Sequence, residues 1–293
     1  MAKAKTAFVC NDCGADFPKW QGQCGECQAW NTLSEIRLSA PAAKAANARV
    51  AGRSGFAGTV AAVQRLEEVA VVDLPRLASG FEELDRVLGG GFVPGSSILI
   101  GGHPGAGKST LLLQALCQLA AAHPALYVTG EESPEQIALR ANRLGLPTDQ
   151  LRLMAETDVD AILASAESLK PKILVVDSIQ VVHSETLTSA PGSVSQVRDC
   201  AAQLTRYAKQ TGTILIMVGH VTKDGSLAGP KVLEHMIDCS ILLEGDHDSR
   251  YRTLRGQKNR FGAVNELGIF AMTDTGMREV TNPSAIFLDR SEH

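Results

Sequence analysis

Apolar stretches, separated by segments with helical spacing, organise the chain from about residue 95 onward. Continuous apolar runs predict strands that are buried on both faces, and the segments between them predict helices. The predicted strands are residues 96–101, 125–129, 151–154, 172–177 and 213–219. The predicted helices are residues 108–122, 134–144, 158–169 and 194–210. This alternation predicts an α/β domain with a mostly parallel central sheet covered by helices on both faces.

The regions on either side of this alternation follow other patterns. Residues 240–244, 251–257 and 267–272 are apolar stretches without helices between them, and we interpret them as antiparallel strands that extend one sheet edge. Earlier in the chain, residues 79–85 predict a short capped helix, which the glycines at 89–91 end.

Composition divides the chain into four parts. Residues 1–33 hold four of the seven cysteines and form a predicted metal module. Residues 34–72 are typical of a linker, because their centre is rich in alanine, glycine, serine and arginine without a clear period. Residues 73–288 form the predicted α/β domain, and residues 289–293 form a tail.

The overall composition is that of an ordinary globular protein, with 44% hydrophobic and 20% charged residues. The net charge of −4 creates no overall field that favours nucleic acid, so any nucleic-acid surface is expected to be local. The sequence has no run of about 18 apolar residues, and no apolar segment follows its basic N-terminus. We therefore expect a cytoplasmic protein without a membrane partner, in which thiols stay reduced.

Four cysteines near the N-terminus form two C-x-x-C pairs separated by ten residues. These are Cys10, Cys13, Cys24 and Cys27. In a reduced compartment this pattern predicts a tetrahedral Zn²⁺ site, with a pair of disulfides or an iron–sulfur site as alternatives. Because thirty residues cannot build a stable core without a metal, we expect Trp20 and Trp30 to cover the site.

A glycine-rich segment matches the phosphate-binding pattern G-x-x-x-x-G-K-S/T. The segment is Gly102-His103-Pro104-Gly105-Ala106-Gly107-Lys108-Ser109-Thr110. A predicted strand precedes it and a predicted helix follows it, which is the context that a P-loop requires. Its glycines let backbone N–H groups approach a phosphate, and the helix N-terminus adds partial positive charge. Lys108 is expected to contact the β- and γ-phosphates of a nucleotide, and Ser109 to bind Mg²⁺.

Polar residues end three of the other predicted strands, where ligands bind in parallel sheets. Asp177 is expected to hold Mg²⁺, with a helix-capping role as the alternative. Glu131 and Glu132 are candidates for orienting and deprotonating the attacking water, Glu131 ahead of Glu132, although a solvated first helical turn also favours acids. His220 is a candidate γ-phosphate sensor or a structural histidine.

The densest basic stretch begins at Arg250 and ends in Lys258-Asn259-Arg260-Phe261-Gly262, with no acid between Ser249 and Val264. A basic edge strand in contact with solvent is the simpler interpretation. The alternative is that Lys258 and Arg260 reach the nucleotide of a neighbouring subunit and stabilise its transition-state charge.

Several motifs in this order resemble the bacterial RadA (Sms) family. They are the two C-x-x-C pairs, the P-loop in the form G-H-P-G-x-G-K-S, residues 127–133, 219–225 and 228–235, K-N-R-F-G at 258–262 and N-P-S at 282–284. The resemblance covers residues 7–288, and K-N-R-F-G is its most specific part. Members of the family usually continue into a Lon-protease-like domain, which we expect this chain to lack.

The resemblance implies a RecA-like ATPase core that takes ATP and Mg²⁺, beside a C4 zinc module that takes Zn²⁺. It implies a DNA-dependent ATPase that forms hexameric rings on single-stranded and branched DNA and promotes branch migration in recombinational DNA repair, with a recombinase as partner. In this reading Lys108, Ser109, Asp177 and Glu131 act on the nucleotide. Lys258 and Arg260 couple the nucleotide state of a neighbour to DNA.

Two other functions remain open at the level of sequence. One is a RecA-like nucleotide switch or kinase of the KaiC type, which shares the tandem glutamates. The other is a zinc adaptor whose P-loop only holds nucleotide. The cysteine module and K-N-R-F-G argue against the first, whereas Glu131 and Glu132 argue against the second.

Overall fold

The computed structural model describes residues 5–10, 16–38, 65–68, 75–220, 232–245 and 249–281. Within these ranges the chain forms a small three-stranded sheet and a nine-stranded sheet. Cys13, residues 221–231 and N-P-S at 282–284 lie outside the described residues, so most of the motif segment 219–225 and the first half of the segment 228–235 do too.

The small sheet belongs to the cysteine module and is antiparallel, in the order β2-β1-β3. Its strands are β1 (Lys5–Cys10), β2 (Asp16–Phe17) and β3 (Leu33–Leu38). Strand β3 pairs with β1 along its whole length, so the sheet continues past residue 33, where the sequence pattern predicts the linker to begin.

The large sheet has the order β12-β11-β10-β9-β4-β8-β7-β5-β6. Its strands are β4 (Ser97–Gly102), β5 (Ala125–Thr129), β6 (Arg152–Ala155), β7 (Ile173–Asp177), β8 (Ile214–His220), β9 (Cys239–Glu244), β10 (Tyr251–Asn259), β11 (Leu267–Thr273) and β12 (Gly276–Glu279). The helices are α1 (Glu82–Leu88), α2 (Lys108–Leu119), α3 (Pro134–Arg143), α4 (Val159–Leu169), α5 (Val194–Thr211) and α6 (Val232–Met236). Strands β9, β4, β8, β7, β5 and β6 are parallel, and β10 to β12 are antiparallel to their neighbours. The predicted α/β class and the antiparallel extension are confirmed.

Alternating side chains of the central strands divide the core into two layers. Ile98 and Ile100 of β4 pack on the side covered by α1, α2 and α3, whereas Leu99 packs on the side covered by α4 and α5. This follows from the two-residue repeat of a strand, whose successive side chains point to opposite faces. Strands β4, β5, β7 and β8 are buried almost throughout, as their continuous apolar sequences predict.

Local signals in the sequence determine where several helices begin and end. Helix α3 begins with a capping box, in which the Ser133 side chain accepts from the Gln136 amide and the Gln136 side chain accepts from Ser133, and Pro134 occupies the first turn. Helix α1 ends at Gly89, whose left-handed backbone (φ 81°) suits glycine. Among the described residues, the helices fall short of the length and apolar character that a membrane crossing needs.

The parallel strands bring their carboxyl ends to one edge of the sheet. In the register of the sheet Gly102 lies beside His220, and Thr129 lies beside Asp177. The loops that follow these strand ends carry the predicted nucleotide-site residues, so sheet topology assembles residues that are far apart in sequence.

Candidate active site

A cavity of about 280 Å³ opens at this edge of the sheet, above the P-loop. Its lining residues are Pro104, Gly105, Gly107, Lys108, Ser109, Thr110, Thr129, Glu131, Glu132, Arg140, Asp177, His220 and Met272. The cavity therefore joins the predicted phosphate loop to the polar ends of β5, β7 and β8.

Lys108 lies inside the P-loop, and its side chain is nearly buried at 4% exposure. Its Nζ donates hydrogen bonds to the backbone oxygens of Gly102 (2.6 Å) and His103 (2.9 Å). Burial lowers the pKa of Lys108, while the charges of Asp177 and Glu131 act in the opposite direction. These contacts hold the ammonium at the base of the cavity, where phosphate oxygens would neutralise its charge.

Ser109 and Asp177 form a pair of oxygen ligands at the start of α2 and the end of β7. Ser109 Oγ donates to Asp177 Oδ2 at 2.6 Å, and Tyr127 Oη donates to the same oxygen at 2.5 Å. Hard oxygen atoms beside a phosphate loop are the ligand set that Mg²⁺ takes in such sites, so the residues present fit the metal. Tyr127 was not predicted from the sequence, where its signal is a phenol within a buried strand that is otherwise apolar up to Thr129.

Glu131 faces the cavity and is held from two sides. Ser178 Oγ donates to Glu131 Oε1, and His220 Nε2 lies 2.9 Å from the same oxygen. Burial alone would raise the pKa of Glu131, but the bonds from Ser178 and His220, with the charges of His220 and Lys108, lower it overall. Glu131 is therefore a carboxylate at neutral pH, with its second oxygen able to accept a hydrogen bond from water.

Glu132 has different partners, although it also borders the cavity. Its carboxylate forms an ion pair with Arg140 of α3, and its backbone N–H donates to Thr129 Oγ1 at 3.1 Å. Both contacts support the turn between β5 and α3. The geometry favours Glu131 over Glu132 as the group that contacts a water molecule.

The hairpin of β11 and β12 packs against the P-loop. Gln114 of α2 accepts from the Met277 N–H (2.8 Å) and donates to the Met277 carbonyl (3.2 Å). A Cβ at Gly107 would lie 2.8 Å from the end of Met272, so the loop and the hairpin are closely packed.

A second cavity of about 310 Å³ lies between the β11–β12 hairpin and helices α2 and α3. Its lining residues are Thr110, Arg143, Leu144, Met272, Thr273, Asp274 and Gly276.

Lys258 and Arg260 lie at the opposite edge of the sheet. Lys258 pairs with Ser240 of β9, and Ser240 pairs with Leu99 of β4, three residues before Gly102. At about 3.3 Å per residue, this places Lys258 roughly 10 Å along the strand from the P-loop edge, with Arg260 farther still. The structure therefore does not bring these two predicted site residues together with the nucleotide site of their own chain.

Local contacts hold both cations beside α6. Lys258 Nζ donates to the Ile237 carbonyl at 2.8 Å and to the Glu234 carbonyl. Arg260 forms an ion pair with Asp238 at 3.1 Å. Cations at the end of a short helix satisfy carbonyl groups that have no partner within the helix.

Three of the four predicted zinc ligands lie together in the cysteine module. The Sγ atoms of Cys10, Cys24 and Cys27 all lie within 4.8 Å of one another, and Cys13 lies outside the described residues. Cys10 Sγ and Cys27 Sγ are 3.6 Å apart, too far for a disulfide and close to the ~3.8 Å expected for two thiolates on one tetrahedral Zn²⁺. The residues present therefore fit a zinc site.

The prediction that Trp20 and Trp30 cover the metal is wrong. Their exposed fractions are 58% and 69%, so both indoles face solvent. Leu33, Phe8 and Phe17 pack around the cysteine cluster instead. These three side chains belong to the strands of the small sheet, whereas Trp20 and Trp30 belong to the connection between β2 and β3.

Comparison with known proteins places the chain in a family. The AAA domain family matches residues 62–226, and a zinc-ribbon family described as rubredoxin metal binding domain matches residues 8–35. The chain belongs to the AAA domain family, whose site takes ATP and Mg²⁺. The cysteine module is a zinc ribbon and takes Zn²⁺.

The chain is also similar to proteins named DNA repair protein RadA, which confirms the resemblance seen in the sequence. It is 64% identical to that of Escherichia coli (strain K12) over 293 residues and 66% identical to that of Haemophilus influenzae over 294 residues. It is 47% identical to that of Bacillus subtilis (strain 168) over 294 residues. These matches cover 99–100% of this chain, which spans 62–64% of the length of these relatives.

Proposed function

We propose that the chain is a DNA-dependent ATPase of recombinational DNA repair that promotes branch migration on single-stranded and branched DNA. The observation that carries the ATPase part is the convergence of Lys108, the Ser109–Asp177 pair and Glu131 on one cavity of an AAA-family domain. The DNA part is supported by the name of the relatives, DNA repair protein RadA.

In the proposed reaction, water attacks the γ-phosphorus of ATP, and the bond from that phosphorus to the β-phosphate oxygen breaks. Lys108 and the P-loop amides bind the β- and γ-phosphates. Ser109 and Asp177 hold Mg²⁺, which when bound neutralises charge on the phosphate oxygens, and Tyr127 fixes Asp177. Glu131 orients the water and takes its proton.

The second cavity is the proposed site of the nucleoside. The two cavities share Thr110 and Met272 and are therefore adjacent. An ATP molecule with its phosphates in the first cavity would place its nucleoside in the second. Arg143 and Met272 supply a planar cation and a polarisable side chain, which suit the face of an adenine ring.

Lys258 and Arg260 are proposed to act on the nucleotide of a neighbouring subunit in a hexameric ring. Their position at the edge opposite the P-loop supports this role, because head-to-tail contacts between copies bring opposite faces of the subunit together. A cation supplied in this way stabilises transition-state charge. In such an assembly the nucleotide site is completed by the next copy.

The deciding experiment is ATP turnover with and without single-stranded DNA, using the wild type and Lys108→Ala. We expect turnover that DNA stimulates, and its loss in the variant with an unchanged circular dichroism spectrum. Autophosphorylation without DNA stimulation would instead support the KaiC-type switch. Nucleotide binding without turnover would support the zinc adaptor, and unchanged turnover in a folded Lys108→Ala variant would refute the site.

A mixing experiment tests the role in trans. Lys108→Ala subunits keep an intact Arg260, and Arg260→Ala subunits keep an intact P-loop, so mixed oligomers contain some complete sites. Part of the turnover should therefore return on mixing. Verified mixed oligomers that stay inactive would favour a role for Arg260 within its own subunit.

A further inference from the structure

Asp238 is a buried carboxylate at the opposite edge of the sheet from the nucleotide site. It lies between α6 and β9, and its exposed fraction is 2%. Its Oδ2 accepts from the Ser97 N–H (2.9 Å), from Ser97 Oγ (3.1 Å) and from Lys209 Nζ. The Asp238 N–H in turn donates to the Ser97 carbonyl at 2.9 Å. Asp238 is thus fixed to the first residue of β4 and to α5.

The other carboxylate oxygen of Asp238 holds Arg260. Arg260 Nη1 donates to Asp238 Oδ1 at 3.1 Å, and Nη2 donates to the His235 carbonyl at 3.1 Å. The Arg260 backbone N–H also donates to the Asp238 carbonyl at 2.9 Å. The Arg260 side chain is 47% exposed, and a guanidinium has five N–H donors, so it can contact an anion while these bonds persist.

The charges around Asp238 are unbalanced. Among the residues that the structure describes, Lys209, Lys258 and Arg260 lie about Asp238 and the exposed Glu234, which leaves positive charge in excess. Burial alone would raise the pKa of Asp238, but the bonds from Lys209 and Ser97 lower it, so the carboxyl stays ionised. A fixed surplus of positive charge is complementary to a polyphosphate.

We infer that Asp238 is a positioning residue for Arg260, and that it fixes the guanidinium where the nucleotide phosphates of a neighbouring subunit meet it. The inference rests on the proposed role of Arg260 in trans. An exposed arginine samples many rotamers, and a cation that stabilises a transition state must be held in place before the reaction. Asp238 supplies that restraint because the sheet itself holds its carboxylate.

The first test measures ATP turnover of Asp238→Asn with single-stranded DNA. Loss of the carboxylate charge loosens Arg260. A displacement of the guanidinium by about 1 Å should lower kcat about 100-fold, while KM for ATP changes less than about threefold. Because Asp238→Asn also leaves Lys209 without its partner, the double variant Lys209→Met/Asp238→Asn is measured in parallel. The double variant removes the charges of both Lys209 and Asp238 and should fold. Its kcat should fall as much as that of Asp238→Asn.

The matched control is Glu244→Gln. Glu244 of β9 forms an ion pair with Arg255 of β10, the two strands that Asp238 and Arg260 flank, and both side chains are about half exposed. A surface pair of this kind contributes little, so kcat should change less than about twofold. Wild-type kcat in folded Asp238→Asn, or an equal loss in Glu244→Gln, would overturn the inference.

Mixing separates positioning from a purely structural role. A head-to-tail interface joins the P-loop of one subunit to Arg260 of the next, so about a quarter of the interfaces in an equal mixture of Asp238→Asn and Lys108→Ala are intact. Turnover should return to about a quarter of the wild-type value. The mixture of Arg260→Ala with Lys108→Ala serves as the reference.

The outcomes of the mixtures are distinct. Recovery in both supports Asp238 as a positioning residue. Recovery only in the Arg260 mixture shows that Asp238 serves the fold of its own subunit, and the inference fails while the proposed role of Arg260 stands. Recovery in neither removes the role in trans and the inference with it, whereas wild-type turnover with DNA would still support the ATPase.

Discussion

At the scale of single residues, adjacent glutamates have different partners and therefore different expected effects. Glu131→Gln should lower kcat by about 10²–10⁴, the usual contribution of a general base, while ATP affinity stays close to the wild-type value. Glu132→Gln removes the partner of Arg140 and should lower kcat by less than about tenfold. Steady-state kinetics and nucleotide titration of both variants measure these effects, and a larger loss in Glu132→Gln would reverse the assignment.

The sequence predicts those candidate site residues that belong to short motifs, and it does not predict those that only the sheet brings near the cavity. Lys108 and Ser109 carry a local pattern, and Asp177 and Glu131 follow recognisable strands. By contrast, Tyr127 is 50 residues from its acceptor Asp177. Ser178 is 47 residues from Glu131, and such contacts depend on strand order, which a local pattern does not contain.

At the scale of elements, two P-loop glycines test how tightly the loop is packed. In Gly102→Ala the new Cβ would lie 2.5 Å from the Leu243 carbonyl oxygen, and backbone cannot yield as a flexible side chain does. We expect a loss of about 2–3 kcal/mol in the free energy of unfolding, with weaker nucleotide binding. Urea unfolding and nucleotide titration provide the measurements.

Gly105→Ala is the matched control in the same loop. In Gly105→Ala the new Cβ would have no neighbouring atom within 4 Å. The substitution is therefore disfavoured only by the positive φ of 78° at this position. A left-handed alanine costs about 1–2 kcal/mol, so Gly105→Ala should be less destabilising than Gly102→Ala. A larger loss of stability in Gly105→Ala than in Gly102→Ala would contradict the close packing of Gly102 on Leu243.

The zinc ribbon is expected to depend on its metal. Cys24→Ser should remove Zn²⁺ and unfold the module, because metal binding supplies the folding free energy of so small a core, whereas ATP turnover without DNA should persist. Trp30→Ala is the control, since its exposed indole lies outside the cluster and metal content should stay at the wild-type level. Metal analysis and circular dichroism test both, and zinc retained by Cys24→Ser would exclude that ligand.

Elements with long patterns were predictable, whereas the short elements α6 and β12 were not. The central strands are continuous apolar runs, which can be recognised in the sequence without knowing which strands lie beside them. Helix α6 has five residues and β12 has four, too few for a period to emerge from the sequence. Strand β12 forms because Met277 pairs with Met272 of β11 and with Gln114 of α2, contacts that exist only in the folded chain.

At the scale of the whole molecule, the charge distribution predicts how the proposed DNA partner would be bound. The net charge is −4, so binding must rely on local basic segments such as residues 250–260. Phosphate contacts then dominate, and affinity for single-stranded DNA should fall about tenfold or more between 50 and 200 mM salt, with little dependence on base sequence. Fluorescence anisotropy with oligonucleotides of different composition measures this, and an affinity insensitive to salt would contradict it.

The support of the P-loop by the β11–β12 hairpin has a consequence during synthesis. The bonds between Gln114 and Met277 join residues 163 positions apart, and Met272 packs on Gly107. A nascent chain that has emerged from the ribosome only as far as β8 contains the P-loop and every acid of the site, yet not the hairpin behind them. Such a chain should hold ATP poorly, so nucleotide can stabilise the domain only after residues up to about 280 have emerged from the ribosome.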